Sequence, residues 1–148
     1  MKFKYLVFLI LFVMCLKQAE AQNKPRINHI AVYIHDLGIC TNFYKDVVGL
    51  EVIPEPFHDG RHTWFSVGDH AALHLIAGAK GVESHLKDSH LCFSVDSIET
   101  FISVLEKNNV AYENWVGQAG AVTLRADGIK QIYFKDPEGY WIEVNNDQ

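Results

Sequence analysis

The chain has 148 residues, of which 49% are hydrophobic and 21% charged, and its net charge is −5 at pH 7. This composition is typical of a globular chain of single-domain size and excludes a disordered one. Acidic residues outnumber basic ones by 18 to 13. Because no basic stretch follows the N-terminus, we expect no nucleic acid among its partners.

The first 21 residues have the three parts of a cleavable secretory signal peptide. Two lysines give a positive start, residues 5–16 form a short apolar run, and Ala19-Glu20-Ala21 is a small-residue cleavage site. The run is too short for a comfortable membrane span. A lipoprotein anchor at Cys15 is less favoured, because a methionine precedes it where a small residue is expected. We therefore predict a secreted or periplasmic protein that is not held at a membrane once the leader is removed.

The mature chain, residues 22–148, is more acidic than the whole. The leader takes away three lysines and one glutamate, which moves the net charge from −5 to −7. Two cysteines remain, Cys40 and Cys92. An oxidising compartment would allow them to pair. Cys40 falls near the start of a predicted helix and Cys92 in a strand of the other half, so we favour two free thiols over a disulfide.

The first half of the mature chain, residues 27–77, predicts the order β-α-β-β-β. Alternating, β-branched or aromatic segments predict strands at 28–34, 51–53, 62–67 and 71–77. A helix is predicted from a cap at Asp36 through Val48. Gly49 then stands where a C-terminal helix cap is expected.

The second half, residues 88–146, follows the same plan after a polar, glycine-containing connector at 78–88. Strands are predicted at 89–95, 111–115, about 121–125, 131–135 and 140–145. A capping box at 96–99 opens a helix whose apolar positions follow helical spacing. The turn at 136–139 has proline and glycine where a type I turn favours them.

Four residues of metal-binding type occupy matching places in these halves. His29 and His90 stand on the first strand of their half, and His74 and Glu143 stand on the last. A buried imidazole or carboxylate is costly without a partner, and one shared divalent ion would satisfy all four. We interpret the other histidines, in turns, strand starts or linkers, as solvated: His35, His58, His62, His70 and His85.

The chain resembles the vicinal oxygen chelate superfamily, which includes glyoxalase I, extradiol dioxygenases, methylmalonyl-CoA epimerase, fosfomycin-resistance proteins and metal-free bleomycin-binding proteins. The matching stretches cover essentially the whole mature chain: HIAVYIHDL, FYKDVVGLEV, HLCFSVDSIE and FKDPEGYWIEV. The resemblance implies an α+β fold in which paired βαβββ modules form a curved mixed sheet around a metal cleft. It also implies dimerisation, which is common among single-domain members.

The same resemblance implies a ligand set for one divalent metal ion. His29, His90 and Glu143 match ligand positions, and His74 falls at the fourth, where glyoxalase I carries a glutamate. Three imidazoles and one carboxylate suit zinc, nickel, cobalt or iron. In extradiol dioxygenases two histidines and one carboxylate hold iron. His74 would then be a base, or would contact the ligands without binding the metal itself.

The family's chemistry implies roles for the residues around the metal. The ion binds two adjacent substrate oxygens and stabilises the anion that forms between them. Glu143, or His74 where it is not a ligand, would remove a carbon-bound proton. By similarity to fosfomycin-type members, Gln131 and Tyr133 would bind substrate. Two further residues are candidate anion binders at the rim of the cleft, Arg125 and Lys130.

These features favour a metal-dependent lyase or isomerase of the glyoxalase type acting on a small molecule. An extradiol-type dioxygenase is the nearest alternative. A sequestering protein like the bleomycin-binding members is a third, although those lack the ligand set that this chain retains. Export argues against glutathione as a substrate, because an exported protein would meet little of it.

Overall fold

The computed structural model describes residues 24–68 and 70–147. The leader predicted over residues 1–21 lies outside the described residues, and its cleavage and the export of the protein stay predictions. Within the described ranges, the model contains no helix with the length and apolar character needed to span a bilayer.

The first module is a four-stranded mixed sheet. Its strands are β1 (His29–Ile34), β2 (Glu51–Ile53), β3 (His62–Ser66) and β4 (Ala72–Ala77). Their order across the sheet is β1-β4-β3-β2. β1 and β4 pair in parallel, and the other neighbours are antiparallel.

One helix connects β1 to β2 in the first module. Helix α1 (Leu37–Phe43) continues into a π-helical turn (Tyr44–Val48). The Asp36 side chain accepts a hydrogen bond from the backbone N–H of Ile39 at 2.9 Å, which satisfies a donor of the first turn. Gly49 ends the helix in the left-handed conformation, at φ 86°. Both predicted caps are confirmed.

The second module repeats this order with one added strand. It comprises β5 (His90–Ser94), helix α2 (Ile98–Lys107), β6 (Tyr112–Glu113), β7 (Thr123–Leu124), β8 (Lys130–Lys135) and β9 (Trp141–Asn145). The order is β5-β9-β8-β6, with β7 also paired to β8. Ser97 caps α2 by accepting a hydrogen bond from the Thr100 N–H at 3.1 Å.

The predicted fold class is confirmed: the chain is α+β, with two mixed sheets and no closed barrel among the described strands. The strand predicted over 111–115 is shorter than expected, because Asn114 begins a turn. Its Oδ1 accepts a hydrogen bond from the Gln118 N–H at 2.8 Å, and its carbonyl accepts one from the Gly117 N–H at 3.0 Å. A side chain that satisfies nearby backbone groups competes with the strand ladder.

One hydrophobic core joins the modules. The inner faces of the sheets contribute Val32, Ile34, Leu73, Leu75, Ile132, Phe134, Ile142 and Val144. Helix α1 lies between them: the Tyr44 ring is 5.9 Å from Phe65 of the first sheet, and the Phe43 ring is 6.3 Å from Phe134 of the second. One side of the helix is therefore packed against residues of both sheets, whereas Ile39 on its other side is exposed.

Polar contacts reinforce this junction at the 136–139 turn. The Tyr44 hydroxyl donates to Asp136 at 2.9 Å, and the buried Glu138 carboxylate accepts from the Asp36 N–H at 3.1 Å. The Cys40 thiol lies 3.6 Å from the same carboxylate. Cys40 and Cys92 are both free thiols, as predicted. The turn therefore anchors the start of helix α1 to the second sheet.

The close approach at Gly139 gives a test of this junction. Gly139 has φ +85°, and an added Cβ would lie 2.6 Å from the Glu83 carbonyl oxygen. We expect Gly139→Ala to lower the free energy of unfolding by about 3 kcal/mol, combining left-handed strain with overpacking. Urea denaturation measures the change.

Gly128→Ala is the matched control, because Gly128 has φ +88° but nothing within 4 Å of an added Cβ. Gly128→Ala should lower the free energy of unfolding only through left-handed backbone strain, by about 1 kcal/mol. Equal losses in the two variants would contradict the close approach at Gly139.

Candidate functional site

The strand registers place the four predicted ligands at equivalent points of the two sheets. His29 pairs with Ala72, and His74 follows two residues later on β4. His90 pairs with Trp141, and Glu143 follows two residues later on β9. Each module therefore carries one diagonal pair of side chains across a parallel pair of strands. This is the repetition that the sequence predicted.

Strand alternation puts both pairs on the outer faces of the sheets. His74 lies between the core residues Leu73 and Leu75, and Glu143 lies between Ile142 and Val144. Successive strand residues point to opposite faces. The His29–His74 pair and the His90–Glu143 pair therefore both face away from the shared core.

The second pair is organised around the buried Glu143 carboxylate. The Tyr133 hydroxyl donates to its Oε2 at 2.6 Å, and Asn145 Nδ2 donates to its Oε1 at 3.0 Å. Gln131 Nε2 in turn donates to the Tyr133 hydroxyl at 2.7 Å. Gln131, Tyr133, Glu143 and Asn145 are all buried. The carboxylate is thus fixed in orientation before anything binds to it.

His90 approaches the same carboxylate with its other nitrogen already bonded. Its Nδ1 lies 2.6 Å from the Lys87 carbonyl oxygen, which only accepts hydrogen bonds, so Nδ1 carries the hydrogen. In the neutral imidazole, Nε2 then holds a lone pair, 3.2 Å from Glu143 Oε2. Two facing lone pairs require a cation between them, either a proton or a metal ion.

The hydrogen bonds also set the acidity of this group. Burial raises the pKa of Glu143, but hydrogen bonds from Tyr133, Asn145 and Cys92, together with the charge of His90, lower it by more, and the net shift is downward. Burial, and then the bond to Glu143, raise the pKa of Tyr133. Tyr133 therefore stays protonated as a donor and Glu143 stays ionised.

The first pair is an aromatic and imidazole cluster. The His74 ring stacks on Trp64 with centroids 4.0 Å apart, and the His29 ring lies 5.9 Å from His74. Two buried polar atoms here have no hydrogen-bond partner among the described residues, Trp64 Nε1 and His74 Nε2. Buried polar groups are nearly always paired, so these two atoms are exceptions within the described part of the chain.

Both histidines of this pair offer a free nitrogen. His29 Nδ1 lies 2.8 Å from Asn28 Oδ1, an acceptor, which leaves Nε2 with the lone pair. Burial lowers the pKa of His74, and the neighbouring His62 and His29 lower it further. His74 is therefore neutral at pH 7.

The two pairs lie on different sheets of the chain. Across residues 24–68 and 70–147, the ligand atoms of no three of the four predicted residues lie within 4.8 Å of one another. Each sheet thus presents half of the predicted site: the His29–His74 pair is the first half-site and the His90–Glu143 pair is the second.

The candidate anion binders lie outside these pairs. Arg125 is bonded to Asp127 at 2.6 Å and lies 3.8 Å from Asp147. Lys130 is paired with Glu99 near helix α2. Both side chains are engaged with exposed carboxylates, whereas Gln131 and Tyr133 do join the Glu143 network.

Two histidines differ from their expected solvated setting. His85 is half-buried and stacks on Tyr140 with ring centroids 3.7 Å apart. His62 is not fully solvated: its side chain is only 12% exposed and its ring lies 4.9 Å from that of His74.

Lys87, whose carbonyl oxygen lies 2.6 Å from His90 Nδ1, was not predicted to neighbour the site. Trp64 is the direct cross-strand partner of His74, which becomes visible only once the β3–β4 register is known.

The donor set fits a divalent metal ion. His29 and His90 each have an Nδ1 fixed by an acceptor and an Nε2 left with a lone pair, His74 Nε2 is unpartnered, and Glu143 is an ionised, hydrogen-bonded carboxylate. Oriented imidazoles and a supported carboxylate are the usual protein ligands of zinc, nickel, cobalt and iron.

Comparison with known proteins relates the chain to enzymes of several kinds. Glyoxylase I 4 of Arabidopsis thaliana is 25% identical over 126 residues, which cover 81% of this chain and 70% of the relative. The mitochondrial methylmalonyl-CoA epimerase of Mus musculus is 29% identical over 96 residues, covering 57% of this chain and 54% of the relative. These relatives are enzymes by name.

Solved structures support the fold. Oxidase ChaP-H2 superposes with a TM-score of 0.70 at 22% identity, covering 84% of this chain and 95% of that one. The family model described as Glyoxalase/Bleomycin resistance protein/Dioxygenase superfamily matches residues 26–144. The chain is therefore a member of the glyoxalase, bleomycin resistance protein and dioxygenase superfamily.

Proposed function

We propose that this protein is an exported, metal-dependent enzyme of the glyoxalase type. It would act as a lyase or isomerase on a small molecule that has two adjacent oxygen atoms. The observation that supports this most is the pair of matched half-sites, in which three imidazole nitrogens and one ionised carboxylate are oriented for a cation.

His29, His90 and Glu143 would hold the divalent ion, with His74 beside them. When bound, the ion supplies Lewis-acid polarisation of the substrate's adjacent oxygens. Asn28 and the Lys87 carbonyl keep the two imidazoles in the tautomer that presents Nε2. Tyr133 and Asn145 keep the carboxylate in one orientation. Such partners of the ligands are worth 10- to 100-fold in metal affinity in typical sites.

His74 is the better candidate for the catalytic base. The donors on Glu143 lower its pKa, and a carboxylate held in this way is a weak base. His74 is buried and neutral, and its Nε2 has no hydrogen-bond partner among the described residues. That nitrogen can accept a carbon-bound proton from a substrate lying between the half-sites.

We propose that a second copy of the chain completes the site. The outer face of the first sheet offers two imidazoles, and the outer face of the second offers an imidazole and a carboxylate. The first sheet of one protomer against the second sheet of its partner would bring the four ligands together. Exposed apolar side chains near these faces, Phe57 and Trp115, suit such an interface.

An extradiol-type dioxygenase is the second candidate. His29, His90 and Glu143 make two histidines and one carboxylate, the set that open ferrous sites use. The identity of the bound ion separates the candidates: iron favours oxygenase chemistry, and zinc or nickel favours a lyase or isomerase. A protein that neither carries nor takes up an ion would be a sequestering protein instead.

Subunit mixing tests both the metal site and its division between chains. One variant, His29→Ala/His74→Ala, lacks the first half-site, and the other, His90→Ala/Glu143→Gln, lacks the second. Refolding equal amounts together gives mixed dimers that contain one intact and one empty site. We expect the mixture to hold about one ion per four chains more than the mean of the separate variants, measured by elemental analysis of untagged protein.

The wild-type protein is the reference for this experiment and should hold metal that each variant loses. No gain on mixing would contradict the division of the site between chains. Absence of metal uptake by the wild type would contradict the enzyme proposal itself. Circular dichroism of each variant checks that the fold is kept.

The Glu143 network gives a second prediction. Tyr133→Phe removes a donor to the carboxylate, so the pKa of Glu143 should rise and metal affinity should fall by roughly 10- to 100-fold. NMR of ¹³C-labelled carboxyl groups in the metal-free protein measures the pKa, and calorimetric titration with Zn²⁺ measures the affinity.

The sign of the stability effect follows from the same shift. A carboxylate with a lowered pKa contributes stability above its unfolded pKa, and that stability is lost as the pH falls through the folded pKa. Tyr133→Phe should therefore make the free energy of unfolding depend less on pH in the acid range. Tyr112→Phe, on β6 of the same sheet, is the control and should change neither the Glu143 pKa nor the affinity. An unchanged Glu143 pKa in Tyr133→Phe would overturn the role of the hydroxyl.

A further inference from the structure

A row of side chains crosses the outer face of the second sheet, starting from the second half-site. The strand registers align His90 with Trp141 and Trp141 with Lys135, one residue on each of three adjacent strands. Partner residues on paired strands point to the same face, and Glu143 follows Trp141 by two residues, so all four share the outer face. Because neighbouring strands are about 4.8 Å apart, the backbone of Lys135 lies roughly 10 Å from that of His90.

Two ammonium groups contact the indole ring in the middle of this row. Lys135 Nζ and Lys87 Nζ each lie 4.7 Å from the centroid of the Trp141 ring. Lys87 Nζ also lies 5.5 Å from the centroid of the Tyr133 ring, and the hydroxyl of Tyr133 donates to Glu143. A cation over an aromatic face is attracted by the ring quadrupole. Both positive charges therefore lie next to the side chains that surround the second half-site.

The charges around this ring do not cancel. Lys87 is paired with the Glu113 carboxylate. It also donates to the carbonyl oxygens of Asn114 and Trp115, at 3.3 Å each. Lys135 pairs with no carboxylate in the part of the chain that the structure describes. Two ammonium groups and one carboxylate thus leave one positive charge without a counter-ion, in a chain whose net charge is −5.

A cleft of about 520 Å³ opens beside the charged row. Tyr133, Trp141 and Lys135 line it together with several apolar side chains. Clefts of this size hold small organic ligands. Because Tyr133 belongs both to this cleft and to the Glu143 network, a molecule held on an ion at the second half-site can extend along the Tyr133 ring into the cleft.

We propose that the substrate carries a carboxylate group in addition to its two adjacent oxygens, and that Lys135 binds this carboxylate. The inference rests on the proposed function, because it places the adjacent oxygens on the metal ion. Lys87, on the same indole ring, adds a second positive charge nearby. A single unneutralised positive charge suits a singly charged group. The anion binders predicted from the sequence, Arg125 and Lys130, are instead paired with carboxylates.

The distance between the ion and Lys135 restricts the shape of the substrate. The span of roughly 10 Å along the row is covered by a six-membered ring that has the adjacent oxygens at one end and the carboxylate at the other. Such a ring would lie near the aromatic side chains of Tyr133 and Trp141. Lys135 would therefore determine specificity through the charge at the far end of the substrate.

Two chelating probes of nearly the same shape but different charge test this proposal. Protocatechuate and its amide both offer adjacent hydroxyl oxygens on an aromatic ring, but only protocatechuate carries a carboxylate. Each probe is titrated by calorimetry into Zn²⁺-loaded protein whose metal content is checked by elemental analysis. We expect Lys135→Met to lower the affinity for protocatechuate about tenfold, the effect of one charge-assisted hydrogen bond, and to leave the affinity for the amide unchanged. Lys135→Arg should retain most of the preference, because it keeps the charge.

Glu113→Gln provides a change of opposite sign. Loss of this carboxylate raises the local positive charge, so the affinity for protocatechuate should rise by about two- to fivefold while that for the amide stays the same. Lys45→Met is the matched control, because it removes an exposed lysine of the first module. It should change neither affinity.

The outcomes distinguish failure of this inference from failure of the proposed function. If the metal-loaded wild type binds neither probe, or if Lys135→Met changes both affinities equally or neither of them, the role of Lys135 is overturned and the metal site stands. If the wild type takes up no metal, the proposed function fails and this inference fails with it.

Discussion

The packing of helix α1 between the two sheets is the constraint on which the site depends. The Phe43 and Tyr44 rings contact Phe134 and Phe65 of different sheets, and the Tyr44 hydroxyl is bonded to the 136–139 turn. The inner faces of both sheets are buried in the shared core, so the metal-type residues stand on the outer faces. Each sheet therefore presents one pair of candidate ligands.

Each half-site is prepared for a cation in a different way. Around Glu143 every polar atom is engaged, and the hydrogen bonds from Tyr133 and Asn145 favour the ionised carboxylate. Around His74 the opposite holds, since aromatic rings surround an imidazole whose Nε2 has no hydrogen-bond partner in the described part of the chain. A charged, oriented ligand and a neutral, available nitrogen are what a metal site with an adjacent base requires.

Much of the fold was predictable because its signals are local. The Asp36 and Ser97 caps, Gly49 and the 136–139 turn all act within a few residues, and strand alternation set the correct face for His74 and Glu143. Strand alternation also predicted that Gln131 and Tyr133 lie on the same face of their strand. The stacking of Trp64 on His74 and the contact of the Lys87 carbonyl with His90 could not be predicted. The first depends on the β3–β4 register, and the second on the tertiary packing of the connector between the modules.

The arrangement of the two modules and the surroundings of His62 could not be predicted from the sequence either, because both depend on long-range contacts. A repeat of two modules is compatible with outer faces that meet within a chain or between chains, and the contact of Phe43 with Phe134 that joins the modules is long-range. His62 was interpreted as solvated because it stands at the start of a strand. Only the folded structure places its ring 4.9 Å from that of His74.

Anomalous diffraction from crystals of the Co²⁺-loaded protein tests the central claim most directly, because it locates each ion relative to named atoms. The account predicts a peak between His29 of one protomer and the His90–Glu143 pair of its partner. A peak bounded by all of these residues from a single chain, or no peak near them in protein that binds cobalt, would contradict it.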